Sequence, residues 1–140
     1  MIDKNLVNFH IKELEKYYII LKSLKHYTLE DLNDPRTAWA VEHGLQLSIQ
    51  SVLDIGNHIL AGLGISDIED YMDVIIKLGE QGVISTEFAD EISGMAGFRN
   101  LMVHEYVKVS LKKVHEMLTE HTEDFKTFAE QVAKYLEEKN

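Results

Sequence analysis

The segment NDPRTAWAVEHGLQLSIQSVLDIGNHIL, residues Asn33 to Leu60, decides the fold class. Asp34 followed by Pro35, the chain's only proline, is a helix start. The aspartate accepts an otherwise unpaired backbone N–H, and proline at the first helical position forfeits no intrahelical bond. Ala38, Val41, Leu45, Val52, Ile55 and Ile59 then recur along one side, which predicts a helix to about Leu60, closed by Gly62 and Gly64. A helix this long with one apolar side needs other helices to cover it.

The flanking sequence supplies them. From Asp3 to about Lys25, Leu6, Phe9, Leu14, Tyr17, Leu21 and Leu24 recur at helical spacing. Ser66 followed by Glu69 has the capping-box pattern and predicts a short helix reaching about Leu78, closed by Gly79 and Gly82. Ser85 can cap a fourth helix carrying Phe88, Ile92, Met95 and Met102. A fifth starts near Ser110, with Leu111, Val114, Leu118, Phe125, Val132 and Leu136 as its stripe. No alternating strand, internal repeat or low-complexity tract interrupts them. The expected architecture is all-α, an up-and-down bundle of four to five helices forming a single domain over residues 1–140. Trp39, Tyr17, Tyr18 and Tyr71 are expected as core or interface anchors before base-stacking platforms. His121 falls on the last apolar stripe and is expected inside; His115 and His58 are expected at the surface.

Composition narrows the functional classes. Hydrophobic residues make up 45% of the 140, enough for a core, and there is no cysteine, so disulfides and thiolate metal sites are excluded. No apolar run approaches a membrane span, and Met1-Ile2-Asp3-Lys4-Asn5 lacks the pattern of a signal peptide. A cytoplasmic protein with no membrane partner is expected. The formal charge of −10 gives little attraction for long polyanions, and no DNA partner is expected. Handling RNA would require a local basic pocket or a partner's surface. Lys12, Lys16, Lys22 and Lys25 in the first segment, and Lys108, Lys112 and Lys113 in the last, also fit an ordinary solvated helix face.

The densest chemistry lies in Phe98-Arg99-Asn100-Leu101-Met102-Val103-His104-Glu105-Tyr106. Arginine forks onto phosphate oxygens, and histidine can take and give a proton near neutral pH. The pair suffices in principle to cleave a phosphodiester without a metal. Arg99 and His104, five residues apart, stand about 140° apart around an ideal helix. They converge only if the helix ends near His104 or if a second subunit's motif meets this one. On the helix from Pro35, Glu42, Gln46, Gln50 and Asp54 form a polar line at steps of four, with Asn57 close by. That line is either the wet side of an amphipathic helix or a set of hydrogen-bonding groups lining a cleft at the motif.

Spacing argues against a metal centre. The residues three before the seven histidines are Val7, Ser23, Ala40, Ile55, Leu101, Lys112 and Leu118, so no Glu-x-x-His pair exists. There is no His-Glu-x-x-His, phosphate-binding glycine loop, dinucleotide fingerprint or nucleophile elbow. Neither a metal nor a cofactor is expected.

Phe98-Arg99-Asn100 through His104-x-Tyr106 resembles the Arg-Asn-x3-His-x-Tyr form of the Arg-x4-6-His signature of the HepT-like branch of the HEPN superfamily. The resemblance extends over Val41-Glu42-His43, Leu45-Gln46, Asp54-Ile55-Gly56-Asn57-His58, Tyr71-Met72-Asp73-Val74, Leu78, Gly82-Val83-Ile84 and Met95-Ala96-Gly97, roughly residues 36 to 110. It implies an all-helical homodimer whose motifs face one another across a composite cleft. It further implies a metal-independent RNase that is the toxin of a toxin–antitoxin pair. Arg99 and His104 would be catalytic, with Asn100 and Tyr106 in support. The implied partner is an MNT-type nucleotidyltransferase antitoxin that silences the toxin by transferring AMP to Tyr106, leaving O-AMP-tyrosine. HEPN-type proteins also include non-catalytic docking or nucleotide-binding modules beside a nucleotidyltransferase. An acidic surface suits that alternative, and a purely structural helical dimer is a third.

Overall fold

The computed structural model describes residues 1–103 and 110–139. Along the chain lie α1 (Lys4–Leu24), a 3-10 turn (Asp31–Asn33), α2 (Pro35–Gly62), α3 (Tyr71–Glu80), α4 (Thr86–Ile92), α5 (Met95–Val103) and α6 (Leu111–Glu138). The three long helices α1, α2 and α6 pack on one another, while α3 and α5 pack on α2 and α4 packs on α3. One hydrophobic cluster runs through all six helices, with Leu14, Leu45, Ile49, Ile59, Ile75 and Phe125 at 0% exposure among its members. The all-α bundle expected from the sequence is the one observed. No helix among the described residues is long and apolar enough to cross a membrane.

The start of α2 follows its sequence: the Asp34 side chain accepts from Arg36 N at 2.9 Å, with Pro35 in the first turn. At its other end Ile65 N donates to Leu60 O and Gly64 N to Ala61 O, the paired bonds of a Schellman cap. That cap needs Gly64 in the left-handed region, at φ +80°.

Three expectations about elements are corrected. In α1 the buried residues are Val7, Ile11, Leu14, Tyr18 and Leu21, so the stripe lies about one residue off the expected one. Phe9 is 58% exposed and Leu6 37%. Helix α1 is apolar on more than one side, and only packing against α2 and α6 selects the side that is covered. In α3 the cap is Asp70 and not Ser66. Asp73 N donates to Asp70 Oδ1 at 2.8 Å and Glu69 N donates to Asp73 Oδ2 at 3.2 Å. This is a variant of the capping box four residues later, built from two aspartates, with the return bond made to the residue before the N-cap. The expected fourth helix is two, α4 and α5, broken at Ser93–Gly94. Glycine is about 1 kcal/mol poorer than alanine in a helix, and the bend lets Ile92, Met95, Ala96 and Phe98 all bury.

Side-chain placements are corrected as well. Trp39 is 74% exposed and not a core anchor, whereas Tyr18 is buried with its hydroxyl donating to Glu123 at 2.6 Å. His121 is half-buried, its Nδ1 2.8 Å from Asp124 Oδ2, and the interior polar position on that stripe is Thr122, whose hydroxyl donates to Leu118 O. His115 is half-buried with Nε2 3.2 Å from Tyr27 O, while His58 is exposed and stacks on His10.

Candidate active site

Helix α5 delivers Arg99 to the side of α2. Phe98, its neighbour, is buried at 7% exposure and anchors the helix, and the next position points Arg99 along the flank of α2. The guanidinium donates through Nε and Nη2 to a single acceptor, Gln50 Oε1, at 3.1 and 3.0 Å. Gln50 Nε2 in turn donates to Asp54 Oδ1 at 2.9 Å. The two residues are one helical turn apart on α2, the spacing at which Gln and Asp side chains meet. From the other side the Tyr71 ring of α3 lies under the guanidinium, with 4.6 Å between the guanidinium carbon and the ring centroid. An aromatic face at that distance attracts a cation.

This array fixes more than the position of Arg99. Because Asp54 accepts from the amide nitrogen of Gln50, the amide oxygen is turned toward the arginine. A carboxylate in place of Gln50 would cancel the guanidinium's charge; a neutral amide holds it and leaves the charge available. The Nη1 edge has no partner among the described residues, so it can donate to an oxyanion.

The other expected site residues divide into two groups. Asn100 is exposed on α5 and lines a hollow of about 440 Å³ with Asn57, Tyr71 and Asp70. Glu42 and Gln46 line a separate hollow with Trp39 and His43, and burial pushes the Glu42 carboxyl above its ordinary pKa. Glu42 and Gln46 therefore share the half-buried side of α2 with Gln50 and Asp54 without touching Arg99. His104 and Tyr106 lie outside the described residues. Sequence reasoning set Tyr71 among core or interface anchors and left it out of the site. Its contact with Arg99 is tertiary, between α3 and α5, and no local spacing announces it. Among the described residues no group of three or more His, Asp or Glu is placed to hold a metal ion.

A family model for ribonuclease HepT-like proteins matches residues 10–132. The chain belongs to the ribonuclease HepT-like family. The tRNA nuclease HepT of Aphanizomenon flos-aquae is 27% identical over 136 residues, covering 96% of this chain and 92% of that protein. The mRNA nuclease HepT of Shewanella oneidensis is 28% identical over 119 residues, covering 84% of each. Among solved structures, the tri-AMPylated Shewanella oneidensis HEPN toxin in complex with MNT antitoxin superposes with a TM-score of 0.81 at 22% identity, covering 96% of this chain and 99% of that one. The bundle is thus the shared fold. The array around Arg99 is read from this chain's own side chains.

Proposed function

We propose that this HepT-like chain is a metal-independent endoribonuclease, the toxin of a toxin–antitoxin pair, working as a homodimer with its Arg99–His104 motifs facing one cleft. The observation that carries the reading is the held but uncancelled guanidinium of Arg99, on the helix that leads into His104. Its support from relatives is the naming of similar chains as tRNA and mRNA nucleases.

In the proposed reaction His104 removes the proton of a ribose 2′-OH, and the 2′-oxygen attacks the adjacent phosphorus. The bond from phosphorus to the 5′-oxygen breaks, and that oxygen takes up a proton. The products are a 2′,3′-cyclic phosphate and a free 5′-OH. General base catalysis of this kind contributes roughly 10²–10⁴-fold. Arg99 stabilises the charge developing on the non-bridging oxygens, a task that requires a donor already aimed before reaction. Gln50 and Tyr71 do the aiming. Asn100 supports the phosphate, and Tyr106 lies two residues beyond the base in sequence. Transfer of AMP from ATP to the Tyr106 hydroxyl by an MNT-type nucleotidyltransferase, with release of pyrophosphate, adds a negative charge and bulk two residues from His104 in sequence, and both oppose an RNA phosphate. The neighbouring structure, an AMPylated HEPN toxin with its MNT antitoxin, supports this regulation.

The test is cleavage of total RNA in excess EDTA by the parent, Arg99→Ala and His104→Ala. The parent is expected to leave cyclic-phosphate ends and both variants to be inactive. Variants that cut as well as the parent would refute the mechanism. Intact RNA together with tight binding of the transferase would replace it with the docking-module reading.

A further inference from the structure

The hollow between α2, α3 and α5 carries chemistry beyond the phosphate contact proposed for Asn100. Ile68, Tyr71, Asn57, Asn100, Glu69 and Asp70 are among the residues that line it. Asn57 and Asn100 are exposed, and neither side-chain amide has a hydrogen-bond partner among the described residues. Asp70 spends one carboxylate oxygen on Asp73 N and keeps the other. Tyr71 is a shared wall, bordering the hollow and carrying Arg99.

We propose that this hollow is a subsite for the nucleobase flanking the cleaved phosphate, selective for bases with an exocyclic amino group. The proposal rests on the ribonuclease reading. The phosphate goes to Arg99, and the two carboxylates of the lining residues keep a second phosphate out by repulsion. A base is uncharged and flat. It can lie over Ile68 and the aromatic wall while its edge meets the two amides, the way single-stranded RNA is usually read. Asparagine pairs well with a base edge that has a donor beside an acceptor. Acceptors outnumber donors among the polar side chains of the lining residues: two amide oxygens and two carboxylates, against two amide nitrogens. Adenine, cytosine and guanine each bring an amino donor to such a lining. Uracil brings no amino group: its one edge donor, N3–H, is flanked by two carbonyls that would face carboxylates.

The experiment uses the full chain and RNA tetranucleotides in which each nucleotide flanking the cleaved bond is varied in turn. Binding is read by fluorescence anisotropy with the His104→Ala protein, with and without Asn57→Ala, and cleavage by the parent. At one flanking position, A, C or G is expected to bind about tenfold tighter than U, with Asn57→Ala removing the difference. Equal binding of all four bases, or an equal loss for all four in Asn57→Ala, overturns the subsite. The two readings fail separately. Cleavage without base preference sinks the subsite alone, and base-selective binding without cleavage by the parent sinks the ribonuclease alone. Absence of both binding and cleavage sinks both. Because Asn57 is exposed on α2, its truncation leaves the core intact.

Discussion

Replacing Gln50 by alanine separates holding an arginine from having one. The substitution removes two bonds to the guanidinium, at 3.1 and 3.0 Å, and leaves Asp54 without its amide partner. In a dry interior each bond to a charged group contributes about 1.5–3 kcal/mol. Arg99 is only half-buried, so water replaces most of that, and the expected loss of stability is about 1 kcal/mol. For a chain of this size that is a fall in Tm of roughly 3–4 °C. The catalytic loss is larger. With Gln50 gone, Tyr71 is the one remaining partner of Arg99 among the described residues, and a misplacement of about 1 Å at a reacting group costs roughly 10²-fold. A hundredfold drop in kcat/KM corresponds to about 2.7 kcal/mol of transition-state stabilisation. The assay is steady-state cleavage of a fluorogenic RNA in chelator, beside a thermal melt of the same preparation. Cleavage by Gln50→Ala within about twofold of the parent, with Arg99→Ala inactive, would refute the positioning role.

Three further predictions concern the frame. A Cβ at Gly56 would stand 2.6 Å from Val74 Cγ1 and 3.0 Å from Leu78 Cδ1, so Gly56→Val is expected to cost about 1–3 kcal/mol by overpacking, seen as a lower urea midpoint. Phe125 is fully buried, and Phe125→Ala is expected to lose about 3–5 kcal/mol in the same titration. The Tyr18–Glu123 hydrogen bond holds the Glu123 carboxyl below its ordinary range and, with burial and the Glu123 charge, pushes the Tyr18 phenol up to about 12. The bond's contribution is therefore complete between the ordinary carboxylate and tyrosine values. It fades as pH falls through the depressed Glu123 value, and again as pH rises from 10 through about 12. Tyr18→Phe should flatten both limbs of a plot of urea midpoint against pH, and unchanged limbs would show that other groups set them.

How far the sequence reaches depends on which force decides. Helix α2 was legible because its cap, its proline and its apolar side agree, and the long stripe of α6 because little competes with it. The register of α1 was not, since Leu6 and Phe9 offer a second apolar side and tertiary packing chose between them. The cap of α3 slipped because Ser66–Glu69 and Asp70–Asp73 satisfy one local pattern, and only the second has a helix after it. At the site, the motif and the step-of-four line on α2 are local patterns and were readable. That Gln50 meets Arg99, with Asp54 behind it, while Glu42 and Gln46 line a separate hollow depends on where α5 crosses α2. Tyr71 had to be seen in space.

The amide at Gln50 has a genetic consequence. Glutamine and glutamate codons differ only in the first base, so a single C-to-G change sets a carboxylate against Arg99 in the same volume. The bundle would still assemble, but the guanidinium would be answered from within. Where this chain poisons its host, codon 50 is thus an exit for survivors, one that keeps a full-length, folded protein while disarming it. Sequencing the survivors of forced expression would find that exit at Gln50 alongside the plainer losses at Arg99 and His104.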